Sequence, residues 1–374
     1  MADPGPILIL GASTGAGHMV AARALEQAAR ELAPDRAVQV HDVLRLCNSL
    51  FRAVYGGGYL TIAHRFPAGM GLLYDMTDFC GPPSFARLAL QRMHTARARR
   101  WIERRRPALV INTHFLPAEI VALARRAGRL DCPQVTVTTD LEAHPMWLHA
   151  PTERYYAATE LSKAGLVACG ADEGSVRVCG IPVRAEFLQL ESREECRRQL
   201  QRPLERQLIL VLSGGFGVGP TAALLDQLAA AGAGAQIVVI AGANEGLRQR
   251  LRRRAARGGV EVDVLGYTGE MHLWMRAADV VISKPGGLTC AEAMVCGTPL
   301  VIVSPIPGPE SRNNDCLLSH GAAVKVNHPR LLGYVVRKLL SDAPGLAEMR
   351  AAMARLGRPS AAHAIVRDAL TLLK

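Results

Sequence analysis

Three short stretches carry side chains whose type and spacing suit chemistry. In Ser283-Lys284-Pro285-Gly286-Gly287-Leu288-Thr289-Cys290-Ala291-Glu292, paired glycines follow an apolar run. Glycines there let backbone N–H groups approach an anion that also faces the positive end of the next helix. Glu292 would then stand where a carboxylate can accept hydrogen bonds from both hydroxyls of a ribose. The same residues spell Thr-x-x-Glu, a capping box that only starts a helix, and the cap can coexist with a ligand role. The second stretch, Gly11-Ala12-Ser13-Thr14-Gly15-Ala16-Gly17-His18, ends in a histidine at a helix start. A helix N-terminus favours neutral imidazole, which can take a proton from an attacking hydroxyl or simply hydrogen-bond the loop. The third is Thr139-Asp140-Leu141-Glu142-Ala143-His144, where Asp140 is a rival base. Asp140, Glu142 and His144 also offer oxygen and nitrogen ligands for a metal, but such Asp-x-Glu pairs are common on solvated loops.

Apolar runs bounded by glycine and proline must position these groups, and they alternate with stretches of helical period, the pattern of β-α-β units. Candidate strands cover 6–10, 37–41, 108–112 and 134–138, then 207–212, 236–240, 260–264, 279–282 and 299–303. They form two sets that open alike. Ile7 to Leu10 runs into the first glycine loop, and Leu208 to Leu212 runs into Ser213-Gly214-Gly215-Phe216-Gly217. The pattern predicts an α/β protein with two Rossmann-like domains, residues 1–185 and 186–345, with a polar stretch at 189–206 between their two sets of strands. A last helix at about 346–374 is expected to pack back on the first domain. Neither glycine loop is a Walker A sequence, because no Gly-Lys-Ser/Thr follows. Asp42 ends the second strand where a dinucleotide-binding acid belongs, yet the loop reads G-x-x-x-G-x-G and not G-x-G-x-x-G, which argues against a dehydrogenase.

Nine cysteines with no C-x-x-C pair predict a reducing cytosol, no disulfide framework and no structural zinc. No basic stretch of a secretory signal opens the chain, and no apolar run nears the ~18 residues of a membrane span, so a soluble or peripheral protein is expected. A net charge of +11 favours acidic partners such as nucleic acid or an anionic bilayer, without choosing between them. Arginine outnumbers lysine 39 to 5, so single arginine clusters such as Arg104-Arg105-Arg106 read as a solvated face. Residues 48–93 interleave Leu50, Phe51, Val54, Phe66, Leu72 and Tyr74 with Arg52, Arg65, Arg87 and Arg92. Much of this must be core, but its outer face suits a bilayer with anionic head groups.

In their order and spacing, several stretches resemble glycosyltransferase family 28, in its monogalactosyl- and processive glucosyl-diacylglycerol synthase branch. They are Gly15-Ala16-Gly17-His18, Thr139 to Trp147, Gly180-Ile181-Pro182-Val183, Ser213 to Gly217, Gly266-Tyr267-Thr268, Lys284 to Thr289 with Glu292, and Pro305-Ile306-Pro307-Gly308-Pro309-Glu310. The resemblance implies a GT-B fold, with parallel sheets facing a central cleft and the donor held by the C-terminal domain. Glu292 would bind ribose, and Gly214, Gly215 and the Pro285, Gly286, Gly287, Leu288, Thr289 loop would meet the diphosphate. Tyr267 and Thr268 would border the uracil, while Glu310 and Asn313 would read the sugar. His18 or Asp140 would be the base, with Gly15, Gly17, His144 and Trp147 about the acceptor. Ser311 and Ser13 depart from the family pattern. The implied activity is inverting transfer of a hexose from UDP-glucose or UDP-galactose to diacylglycerol or a related lipid. It needs no metal cofactor, because helix-end and loop amides offset the leaving charge. An anionic membrane surface on the cytoplasmic face, and not nucleic acid, would be the partner. The alternatives are an N-acetylglucosamine transferase acting on a polyprenyl-linked acceptor and a non-catalytic UDP-sugar sensor.

Overall fold

The computed structural model describes residues 5–58, 66–78, 85–189, 191–214, 221–230, 234–257 and 261–373. The chain divides into two compact units. Residues 1–185, 306–309 and 359–374 form the first, and 186–305 with 310–358 form the second.

The first unit is built on a six-stranded parallel sheet of β1 (Ile7–Gly11), β2 (Val38–Asp42), β3 (Leu109–Asn112), β4 (Gln134–Val137), β5 (Arg154–Ala157) and β6 (Val176–Val178), in the order β2-β1-β3-β4-β5-β6. Its helices include α1 (Ala16–Leu32), α2 (Pro67–Met76), α3 (Phe85–Arg105) and α4 (Phe115–Arg126). β1 is apolar at every position because both faces are covered, as parallel sheets require. Ile7 and Ile9 pack with Ala22 and Leu25 of α1. Leu8 and Leu10 pack on the other side with Ile102 of α3 and with Leu116 and Ile120 of α4.

The second unit repeats the plan with β7 (Leu208–Leu212), β8 (Gln236–Ile240), β9 (Val262–Leu265), β10 (Val280–Ser283), β11 (Leu300–Val303) and β12 (Ala323–Val326), ordered β12-β11-β10-β7-β8-β9. α5 (Gly287–Cys296) follows β10 and α6 (Pro309–Ser319) follows β11. Three strands escaped the sequence pattern: β5, β6 and β12. Each is only three or four residues long and carries a basic residue, Arg154, Arg177 or Lys325, so none makes an uninterrupted apolar run.

The expected single C-terminal helix is two helices. α7 (Ala343–Leu356) packs on α5 within the second unit, and only α8 (Ala361–Leu370) packs on α1. Gly357 is the C-cap of α7, and a side chain is disfavoured there, since a Cβ would lie 2.7 Å from the Met294 carbonyl oxygen of α5. Ile365, Val366 and Ala369 then join the core beside Leu25. Tyr156 donates to Asp368 Oδ2 at 2.8 Å, and His363 Nε2 lies 2.7 Å from Glu31 Oε2.

Among the described residues no helix is long and apolar enough to cross a membrane. Cys47, Cys132, Cys179, Cys196, Cys290, Cys296 and Cys316 are free thiols, whereas Cys169 is disulfide-bonded.

Candidate active site

In each sheet the chain order reverses once, between β1 and β3 and between β7 and β10. Such switch points open a crevice outside the carboxyl ends of the strands. Both glycine loops lie there.

At the first switch point β1 leads into Ala12 to Gly15, and Gly15 begins α1 with no side-chain cap. Gly11 must be small, since a Cβ would sit 2.7 Å from Met19 Sδ, whereas one on Gly15 would meet nothing within 4 Å. Gly17 is half-buried in the first turn. His18, also half-buried, is held by the ends of two other strands. Its Nδ1 lies 3.1 Å from the Thr113 carbonyl after β3 and 2.8 Å from Thr139 Oγ1 after β4. A carbonyl oxygen only accepts, so Nδ1 carries the proton and Nε2 keeps its lone pair. Enclosure by protein pulls the His18 pKa down to about 4, against a smaller upward pull from the Thr113 carbonyl. The ring is therefore neutral at physiological pH, with one nitrogen ready to accept a proton.

A second histidine backs this one. His114 is buried, and its ring lies edge-on to His18 at 4.6 Å between centroids. Its Nδ1 accepts from the Leu116 N–H at 3.0 Å, capping α4, which leaves Nε2–H directed at Thr14 Oγ1, 3.3 Å away in the glycine loop. Burial, then the neighbouring His18, holds its pKa well below the usual value. Neither His114 nor Thr113 stood out in the sequence. Asn112-Thr113-His114 directly after the apolar strand Leu109-Val110-Ile111 was the available signal.

Asp140 is half-buried and follows Thr139 directly. His144 and Trp147 are both buried. His144 is 4% exposed and both its nitrogens are engaged: Nδ1 accepts from Met146 N–H at 3.1 Å, and Nε2–H donates to the Tyr74 carbonyl at 3.2 Å. Trp147 is buried against Tyr155 and Leu166. Both brace the wall behind His18. Asp42, the would-be ribose acid, accepts from the N–H groups of Leu44 and Ser13.

At the second switch point Gly214 takes a φ of +74°, and Gly215 lies outside the described residues. β10 ends in buried Ser283, followed by half-buried Lys284 and buried Pro285. Gly286 is the N-cap of α5, again without a side-chain cap, and Gly287 is its first residue. Leu288 and Thr289 stand within the first turn, so Thr289 does not cap the helix and the capping-box expectation fails. Glu292 sits a turn deeper and is 7% exposed. From α6, a Glu310 carboxylate oxygen comes within 4.0 Å of where a Cβ on Gly286 would be. Asn313 is fully buried and its amide donates to the Pro285 carbonyl at 3.0 Å, which ties α6 to the glycine loop. Tyr267 is 78% exposed after edge strand β9, and Thr268 accepts from the Glu270 N–H. Among the described residues no three histidine, cysteine or acidic side chains are grouped to hold a metal ion.

Residues 18–183 match the family model for monogalactosyldiacylglycerol synthase, and residues 195–358 match that for glycosyl transferases group 1. A processive diacylglycerol beta-glucosyltransferase of Bacillus licheniformis is 28% identical over 369 residues, covering 97% of this chain and 94% of the relative. MurG of Acinetobacter baumannii shares the fold with a TM-score of 0.64 and 17% identity, over 98% of this chain and all of the other. Anabaena HepE, solved with UDP-glucose, shares it with a TM-score of 0.57 and 16% identity, over 98% and 99%.

Proposed function

We propose that this chain is a GT-B glycosyltransferase of the monogalactosyldiacylglycerol synthase branch and moves a hexose from UDP-glucose or UDP-galactose to the hydroxyl of diacylglycerol or a closely related lipid. The observation that carries the donor half is the bare N-terminus of α5, with Gly286 as cap, buried Glu292 a turn inside it and Glu310 beside it. Its amides and positive end suit a diphosphate, and a carboxylate at that depth suits a ribose. His18 supplies the acceptor half. Its Nε2 takes the proton of the lipid hydroxyl as the hydroxyl oxygen bonds to the anomeric carbon. The bond from that carbon to the diphosphate breaks, UDP leaves with the electron pair, and the configuration inverts. Asp140, one residue beyond Thr139, is the alternative base.

Within this reading no metal is needed for the leaving group, because the α5 amides take its charge. The acceptor is reached from a membrane surface. Leu50, Val54, Phe66, Leu72, Met76 and Met93 of the first unit are exposed, with exposed Arg52, Arg92 and Arg97 among them. Exposed apolar and basic side chains of this kind suit the anionic cytoplasmic leaflet as a peripheral dock. Arg65 lies outside the described residues.

The test is incubation with radiolabelled UDP-glucose, UDP-galactose and UDP-N-acetylglucosamine on liposomes that carry diacylglycerol. Label is expected in a hexosyl-diacylglycerol from one of the first two donors. Label that reaches only a polyprenyl phosphate acceptor, or no lipid at all while UDP-sugar binds, would overturn the assignment.

A further inference from the structure

His18 is held at three points, all within the first unit. Its ring Nδ1 lies 2.8 Å from Thr139 Oγ1, just past β4, and 3.1 Å from the Thr113 carbonyl, just past β3. Thr113 also reaches its main chain. The Thr113 hydroxyl donates to the His18 carbonyl at 2.9 Å, and the Thr113 N–H donates to the Leu10 carbonyl at 2.9 Å, so the start of α1 is tied to the ends of β1 and β3. Gly11 makes room for this tie, since a Cβ there would lie 3.0 Å from Thr113 Oγ1. Thr113 is fully buried and Thr139 nearly so. Neither of the two oxygens that meet Nδ1 carries a charge. The titratable neighbours come from the same strand ends: His114, edge-on to the ring and itself held neutral by burial, and Asp140, next to Thr139 in the chain. The first turn of α1 brings no acidic residue.

We propose that Thr139 is a positioning residue for His18: together with the Thr113 carbonyl it holds the imidazole by two neutral oxygens, where a carboxylate would otherwise orient a base. This rests on the reading of His18 as the base. One acceptor would let the ring swing about a single contact, whereas two acceptors on different strands fix its plane and with it the direction of the Nε2 lone pair. The neutrality of the pair has a second consequence. A carboxylate at Nδ1 would favour the charged ring, and these oxygens supply no such charge. The imidazolium formed as the acceptor hydroxyl gives up its proton is therefore strongly acidic, and it returns readily to the basic form for the next turnover.

The test uses the full chain with Thr139→Val, Thr139→Ser, Thr139→Asp and Thr139→Asn. NMR of the nitrogen-labelled imidazole reads the tautomer, calorimetry reads UDP-hexose affinity, and KM and kcat are followed across the acid range. Wild-type His18 is expected to carry its proton on Nδ1. Thr139→Val should raise the share of the Nε2–H tautomer and lower kcat about three- to tenfold, the weight of one hydrogen bond, with KM and UDP-hexose affinity within about twofold. Thr139→Ser, which keeps the oxygen, should recover most of the loss. Thr139→Asp should move the acid limb of kcat upward by about one pH unit or more, and the uncharged Thr139→Asn, of the same size, should not. A folded Thr139→Val protein with wild-type tautomer and kcat would overturn the proposal, as would an acid limb that Thr139→Asp leaves in place or a wild-type proton on Nε2. Near-normal turnover in His18→Ala would overturn the base reading and the positioning role with it. A tautomer that still responds to Thr139→Val would in that case place the failure in the base reading and not in the contact.

Discussion

The starts of α1 and α5 are near copies set among different neighbours. Each follows a buried central strand at a switch point, each begins at a glycine, and neither is capped by a side chain. They diverge in what the surrounding elements deliver. Around α1, the ends of β3 and β4 bring Thr113, His114 and Thr139, which leave a neutral imidazole with its lone pair oriented. Around α5, the helix itself brings buried Glu292 and α6 brings Glu310 and Asn313. A glycine loop at a switch point is thus generic equipment for approaching a ligand. Proton transfer or nucleotide binding is written in the next ring of residues.

Replacing His18 gives the largest test of that contrast. If the α1 site does proton chemistry, His18→Ala should cut turnover by ~10²–10⁴-fold and leave UDP-sugar affinity nearly unchanged. Turnover and calorimetric binding for His18→Ala, Asp140→Asn and the double variant check it, with non-additive losses expected if the two groups act as a unit. Near-normal turnover in His18→Ala would move the base to Asp140. Parallel losses of donor affinity and thermal stability would make His18 a brace for the loop, and the two helix starts would then not differ as described.

Glu292 probes the other half. Removing a carboxylate that accepts paired ribose hydrogen bonds should weaken UDP by roughly 1.5–3 kcal/mol, about ten- to more than a hundredfold. Calorimetric titration of Glu292→Ala with UDP reads this directly. Because Thr289 is inside the helix and not its cap, an unchanged dissociation constant would not make Glu292 a capping-box residue. It would leave Glu292 as a buried acid beside Cys296, whose thiol is pushed up by burial and then by that carboxylate.

The contrast sharpens with pH. His18 has its pKa lowered to about 4 from the ordinary 6.5, so its basic form persists well into acid. At pH 5.5 an unperturbed histidine would be only roughly a tenth deprotonated, whereas His18 should be almost wholly so. The acid limb of kcat should therefore bend near 4, and a bend near 6.5 would mean that the base is not this enclosed ring. Stability is expected to fall over a pH range in which activity still holds. The unfolded chain takes up a proton below about 6.5 and the native ring does not until about 4, so the folded state should lose stability as pH falls through that window. His114, lowered by burial in the same direction, adds to the loss. Chemical denaturation between pH 4 and 7 follows it.

The sequence carried the plan of both sheets because their central strands are uninterrupted apolar runs that end in glycine. It did not carry β5, β6 and β12, where a basic residue breaks each short run. His18 and Glu292 were legible since each lies in the same strand-loop-helix unit as its glycines. His114 was not, because its relation to His18 exists only once β3 pairs with β1. His144 and Asn313 were legible as candidate site residues, yet spacing could not tell that both His144 nitrogens and the Asn313 amide nitrogen bond the backbone.

The smallest expected effect is none at all, and it bears on the one rival use of the α1 side. Asp140, Glu142 and His144 have the composition of a metal site, and a cation there could offset the leaving diphosphate in place of α5. His144 is unsuited to that task. One ring nitrogen already accepts from Met146 and the other gives its proton to the Tyr74 carbonyl, so ligation would cost the turn at Pro145–Trp147 its cap or α2 its anchor. The bare end of α5, by contrast, presents amides that need no partner of their own in the protein. Turnover should therefore survive EDTA unchanged, and added magnesium or manganese should not raise it. Loss on chelation that either ion restores would show that the two helix starts do not divide the work, and that the leaving charge is met by a cation.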